Sequence, residues 1–64
     1  MNLRLDERVR KEAFQLLVGL QDGGCTVEDS RKEVAAYYAI PILEVVSIEQ
    51  EGIDKVWPPF ENFP

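Results

Sequence analysis

The chain has 64 residues, with 12 Asp or Glu against 7 Lys or Arg, for a formal net charge of -5. It contains no His and one Cys, so neither a His/Cys zinc site nor a disulfide framework can form within one chain. A chain this short forms one domain at most and has little room for a concave catalytic site. No apolar run approaches the ~18 residues that a membrane span needs. We therefore expect a cytoplasmic, non-enzymatic protein with no cofactor, metal, membrane or small-molecule partner.

The first predicted element is an amphipathic helix over residues 5–22. Its apolar residues recur at the three-and-four spacing of one helical face: Leu5, Val9, Ala13, Leu16, Leu17 and Leu20. The Asp6 carboxylate can accept hydrogen bonds from free backbone amides at the helix start. Gly23 and Gly24 follow directly, and glycine is typical of the position just past a helix end.

Two shorter helices are predicted to follow, over residues 30–39 and 41–51. Ser30 and Glu33 have the spacing of a capping box that would start the first of them. Pro41 disfavours a helical conformation in the residue before it and suits the first turn of a new helix, so it separates the two. Gly52 is predicted to end the second helix, because glycine is common at that position.

The C-terminal segment, residues 53–64, carries three aromatic residues among prolines. Trp57, Phe60 and Phe63 recur every third residue, which would align them along one edge of a polyproline-II helix. Either these side chains dock on the core of a small domain, or they form a binding strip, since Trp and Phe are common interface anchors. The predicted architecture is an all-α single domain, residues 1–64, with three helices and an extended aromatic/proline tail.

The two short helices and the break between them have the pattern of a helix-turn-helix. Val34 and Ala35 would be buried in the first helix, and Val45 and Ile48 would hold the second helix against it. Ala39 would occupy the turn position that usually has a positive φ, which costs alanine about 1 kcal/mol relative to glycine.

The matching residues of this window are Glu33-Val34-Ala35, Ile40, Val45, Ile48-Glu49 and Ile53-Asp54-Lys55-Val56. Over about residues 30–56 the chain resembles the helix-turn-helix of region 4 of bacterial sigma factors. It is also similar to the helix-turn-helix of MerR regulators and phage excisionases, through Glu49-Gln50-Glu51-Gly52-Ile53. The resemblance implies a transcription-linked role, with DNA read from the outward positions Ile42, Leu43, Val46, Ser47 and Gln50.

Three of those five outward positions are aliphatic, whereas base readout and phosphate contact require polar or basic side chains. No basic residue lies between Lys32 and Lys55, and the predicted helix over residues 41–51 carries three glutamates that would repel a polyanion. We therefore expect an apolar patch rimmed by carboxylates that binds a protein partner or a second copy in a homodimer. The sequence equally allows these aliphatic residues to be buried beneath the first helix or the tail.

The predicted contacts to a protein partner are Ile42, Leu43, Val46, Ser47, Gln50, Trp57 and Phe60. The alternative function is a DNA-binding transcriptional regulator. Its phosphate contacts would be Arg4, Arg8, Lys11 and Lys55, and its base contacts Ser47 and Gln50. Acidic residues are interleaved with these basic ones, which favours ion pairs such as Glu7 with Lys11. Residues 13–64 hold three basic and nine acidic residues, so a protein partner is favoured over nucleic acid.

Overall fold

In a computed structural model of the chain, the described residues are 5–58. They form three α-helices, α1 over Glu7–Asp22, α2 over Val27–Tyr38 and α3 over Ile42–Lys55. Each helix packs against both of the others, and no strand occurs in this part of the chain. The all-α prediction is confirmed. None of the three helices is both long enough and apolar enough to pass through a membrane.

Local capping explains the bounds of α1. The Asp6 carboxylate accepts a hydrogen bond from the Val9 amide at 3.0 Å, as the sequence predicts. Gly23 is the C-cap, and Gly24 follows with φ 105°, a conformation that glycine adopts without steric cost. The predicted end of this helix at Asp22 is therefore confirmed.

The second helix, α2, begins at Val27 rather than at Ser30. Its N-cap is Thr26, whose Oγ1 accepts a hydrogen bond from the Asp29 amide at 3.0 Å. Ser30 is fully buried inside the helix, where its hydroxyl donates to the Val27 carbonyl at 2.8 Å. The same hydroxyl accepts a hydrogen bond from Gln21 Nε2 at 3.0 Å. Ser30 therefore ties the end of α1 to α2 instead of capping a helix.

The turn between α2 and α3 consists of residues 39–41. Ala39 has φ 55° and ψ 49°, so the predicted left-handed turn residue is present. The Ile40 amide donates to the Ala35 carbonyl at 3.0 Å, which closes the last turn of α2, and the Ile40 side chain enters the core. Pro41 then takes the N-cap position of α3.

The third helix continues past its predicted end at Gly52 as far as Lys55. Gly52 is buried inside the helix, and a Cβ added there would overlap the ring of Phe14 on α1. Glycine is needed here for a close approach between helices, not for a helix end. The real C-cap is Val56, with φ 54°, and the next residue, Trp57, donates its amide to the Gly52 carbonyl at 2.9 Å.

The core lies where the three helices meet. Burial of Val34, Ala35, Val45 and Ile48 is confirmed. The buried face of α1 is rotated about the helix axis relative to the predicted one, because α1 packs against both α2 and α3. As a result, the buried residues of α1 are Ala13, Phe14, Leu17 and Val18, while Leu5, Leu16 and Leu20 are only partly buried.

Trp57 is docked on this core, with 4% of its surface exposed. Its ring meets Phe14 edge to face, with centroids 6.1 Å apart and an interplanar angle of 76°. The ammonium groups of Lys11 and Lys55 lie 5.9 and 5.6 Å from the centroid of the Trp57 ring. Phe60 and Phe63 lie outside the described residues, as does half of the predicted extended tail, residues 59–64.

A two-pronged ion pair joins α1 to α3. Arg10 donates from Nε to Glu51 Oε1 at 2.8 Å and from Nη2 to Oε2 at 3.0 Å. Its Nη1 donates to the Leu5 carbonyl at 2.8 Å, and Lys55 Nζ donates to Glu51 Oε2 at 2.8 Å. The hydrogen bond from Arg10, helped by Lys55, lowers the pKa of Glu51 from 4.5 to about 2. Arg10 therefore stabilises the packing of α1 against α3.

Replacing Gly52 with alanine is expected to destabilise the protein. The overlap with Phe14 costs about 1–3 kcal/mol, more than the ~1 kcal/mol that alanine gains over glycine in a helix. The matched control is Gly19→Ala, because a Cβ at Gly19 meets nothing within 4 Å. That variant is expected to gain about 0.5–1 kcal/mol. Urea unfolding followed by circular dichroism measures both, and a stabilised Gly52→Ala variant would contradict the close contact.

Acid is expected to weaken the fold through Glu51. Because the pKa of Glu51 is about 2 in the folded protein and 4.5 ordinarily, its contribution is complete above pH ~4.5 and is lost as the pH falls toward 2. In Glu51→Gln, the free energy of unfolding should fall less steeply across this window. The matched control is Glu28→Gln, which removes one negative charge from the exposed ion pair with Lys32. This control leaves the Arg10–Glu51 ion pair in place. Equal pH slopes for the two variants would refute the role of Glu51.

Candidate interaction surface

One face of α3 points away from α1 and α2. Leu43 is 79% exposed and Ile42 is 44% exposed. The described part of the chain therefore leaves both side chains open to solvent, rather than covering them with α1. Farther along the helix, Val46 and Ser47 are half-buried and Gln50 is exposed. The five outward positions predicted from the sequence thus share one surface.

Ile53 extends this surface by a further helical turn, with 49% of its area exposed. It lies about two turns beyond Val46 on the same side of the helix. Its place on this surface could not be predicted from the residue pattern, because Gly52 was expected to end the helix. We call the combined surface the outward face of α3, which consists of Ile42, Leu43, Val46, Ser47, Gln50 and Ile53.

The three glutamates of α3 differ in how they border this face. Glu44 is buried, with 9% of its surface exposed. Glu49 Oε1 accepts hydrogen bonds from Arg31 on α2, from Nη2 at 2.8 Å and from Nε at 3.0 Å. Glu51 is held by Arg10 on α1. Glu44 also lines a pocket together with Leu43, Val46 and Ser47. Glu49 follows Val46 by three residues and precedes Ile53 by four, so it lies beside the aliphatic side chains. These two glutamates therefore border the outward face.

Two other predicted partner contacts do not join the outward face. Trp57 is buried against Phe14 and would have to leave that position to reach a partner. Phe60 lies outside the described residues. The partner surface that remains is therefore the helical one.

Two of the predicted phosphate contacts, Arg8 and Lys11, lie on α1, not on the helix that carries the predicted base contacts. Arg8 is exposed, and Arg4 is outside the described range. Lys11 Nζ is 3.8 Å from Glu7 Oε2 and also lies over the ring of Trp57. Lys11 thus forms the ion pair that the charge pattern predicts.

A groove with a volume of about 350 Å³ lies between α1 and α2. It is lined by Glu12, Leu16, Leu20, Glu33, Tyr37 and Tyr38. The rings of Tyr37 and Tyr38 meet edge to face, with centroids 4.9 Å apart and an interplanar angle of 78°. The Tyr38 hydroxyl donates to Glu12 Oε1 at 3.2 Å. Burial and this carboxylate raise the pKa of Tyr38 to about 12. No sequence signal marks this groove, because two helices contribute to it.

Within residues 5–58, no three His, Cys, Asp or Glu side chains come together in a group that could hold a metal ion. No protein-family model matches the chain, and no curated protein or solved structure matches it. What this chain binds is therefore inferred from its own surfaces.

Proposed function

We propose that this chain is a non-enzymatic interaction module of helix-turn-helix type that pairs with a second copy through the outward face of α3. The observation that carries the proposal is the exposure of two adjoining aliphatic side chains, Leu43 at 79% and Ile42 at 44%. Contiguous exposed apolar surface on a small protein usually marks a protein contact.

The junction of α2 and α3 supports the helix-turn-helix assignment. A short turn with a left-handed residue, Ala39, separates the two helices. Ala35 is small and 8% exposed, and Ile40 anchors the turn in the core. These are the features that the pattern of a helix-turn-helix requires. Together with the resemblance to sigma region 4, they support a transcription-linked role.

A second copy is the occupant that the charges of α3 favour. The chain carries a net charge of -5, which would oppose association if the acidic groups lay on the contact surface. However, Glu49 is held by Arg31 and Glu51 by Arg10. These two ion pairs reduce like-charge repulsion in an α3–α3 contact, and the exposed Asp54 beside Gln50 is the carboxylate that still contributes to it.

The outward face is also spaced for pairing with itself. Leu43 and Ile53 lie five residues to either side of Ile48, and Val46 and Gln50 lie two residues to either side. In an antiparallel pair related by a two-fold axis, Leu43 of one copy would meet Ile53 of the other. Val46 would likewise meet Gln50. Such a contact would add stability to a domain whose core is small.

Leu43→Lys and Val46→Lys are each expected to convert a dimer into a monomer without loss of helix, because both place a charge in the apolar contact. Sedimentation equilibrium at several concentrations measures the association, and circular dichroism measures the helix content. Val27→Lys is the matched control, since Val27 is 47% exposed but lies on α2. A monomeric wild-type protein at all concentrations, or dissociation of the Val27→Lys variant as well, would contradict the proposal.

A DNA-binding regulator is the second candidate, and the same α2–α3 junction together with the exposed Arg8 favours it. Against it, α3 presents aliphatic side chains where base readout needs polar ones. Arg10 and Arg31 are both held in ion pairs.

We expect no binding of a fluorescent duplex even at low salt, as measured by fluorescence anisotropy. Binding that weakens by orders of magnitude between about 50 and 200 mM salt, and weakens further in Arg8→Gln, would instead establish the DNA-binding function.

A further inference from the structure

The groove between α1 and α2 is built from two rows of side chains. On α1, Glu12, Leu16 and Leu20 follow one another at a spacing of four residues, which places them on one face of the helix. On α2, Glu33 and Tyr37 have the same spacing. Each helix thus brings one carboxylate and at least one apolar or aromatic side chain to the groove.

The charge of the groove is negative and unbalanced. Among the residues that the structure describes, no lysine or arginine lines it. Lys11, which precedes Glu12, lies near Glu7 and Trp57. Lys32, which precedes Glu33, pairs with Glu28 at 3.3 Å. The basic neighbours in the sequence are therefore engaged elsewhere, and the groove complements a cation.

The aromatic side chains restrict which cation fits best. Tyr37 is 72% exposed, so most of its ring is open to a ligand. Tyr38 packs on it edge to face and is held by its hydrogen bond to Glu12. A cation over a tyrosine ring is attracted by the ring quadrupole. A guanidinium group can stack on such a ring and also donate to a carboxylate, which a lysine ammonium does less well.

We propose that this groove binds an arginine side chain of a partner protein, with an adjoining leucine-sized residue seated on Leu16 and Leu20. The guanidinium stacks on Tyr37 and donates hydrogen bonds to Glu33 and Glu12. Both leucines are only partly buried by the chain itself, so their remaining apolar surface is available. The site lies on α1 and α2 and is independent of the outward face of α3.

The test is a titration of ¹⁵N-labelled protein with the blocked peptide acetyl-Leu-Arg-Leu-amide, followed by amide chemical shifts. The control peptide has citrulline in place of arginine, and citrulline keeps the shape of arginine but has no charge. We expect shifts at the groove residues with the arginine peptide, and affinity about five- to tenfold weaker with the citrulline peptide. Glu33 is exposed, and the Glu33→Gln variant is expected to bind the arginine peptide with an affinity reduced by a similar factor.

The Leu43→Lys variant is titrated in parallel, because its α3 face is disrupted while the groove is intact. Unchanged binding by that variant is expected, and it separates this site from the self-association proposed above. Equal affinity for the two peptides would overturn the proposal, since the charge would then have no role. The proposal is also overturned if the shifts lie outside the groove, or if none occur at peptide concentrations up to ~10 mM.

Discussion

The contact between Phe14 and Gly52 determines how α3 lies against α1, and the neighbouring interactions depend on it. Without a side chain at Gly52, the Phe14 ring reaches the backbone of α3. Trp57 then meets the same ring edge to face, just beyond the end of α3. The Arg10–Glu51 ion pair joins the same two helices. A methyl group at Gly52 would push the helices apart and strain all of these contacts together.

The orientation of α3 has two consequences for its chemistry. Two of its glutamates are paired with arginines of the other helices, Glu49 with Arg31 and Glu51 with Arg10. The outward face carries aliphatic residues, of which Leu43 is the most exposed. The exposed Asp54 carboxylate accepts a hydrogen bond from Gln50 at 3.0 Å and is the negative charge that a partner of this face meets. The ion pairs of Glu49 and Glu51 lower the electrostatic cost of bringing two copies of α3 together.

Local signals in the sequence predict much of this fold. Asp6 as an N-cap and Pro41 as a helix separator act through their own backbone neighbours, so their effects can be read without tertiary structure. Gly52 could not be interpreted in this way, because a glycine at a helix end and a glycine at a helix crossing look alike in a sequence. Likewise Ser30 has the spacing of a cap, yet packing against α1 buries it. The groove at Glu12 depends on two helices meeting, which residue spacing alone does not specify.

The most direct test of the α3–α3 arrangement is paramagnetic broadening between copies. A nitroxide is attached to Asp54→Cys in a Cys25→Ser background, since Cys25 is exposed and would otherwise react. The nitroxide-labelled protein is prepared without ¹⁵N and is mixed with ¹⁵N-labelled wild type. Antiparallel pairing predicts selective broadening of the amide signals of Ile42 and Leu43 in the other copy. Absence of intermolecular broadening, or broadening confined to α1 and α2, would contradict the account.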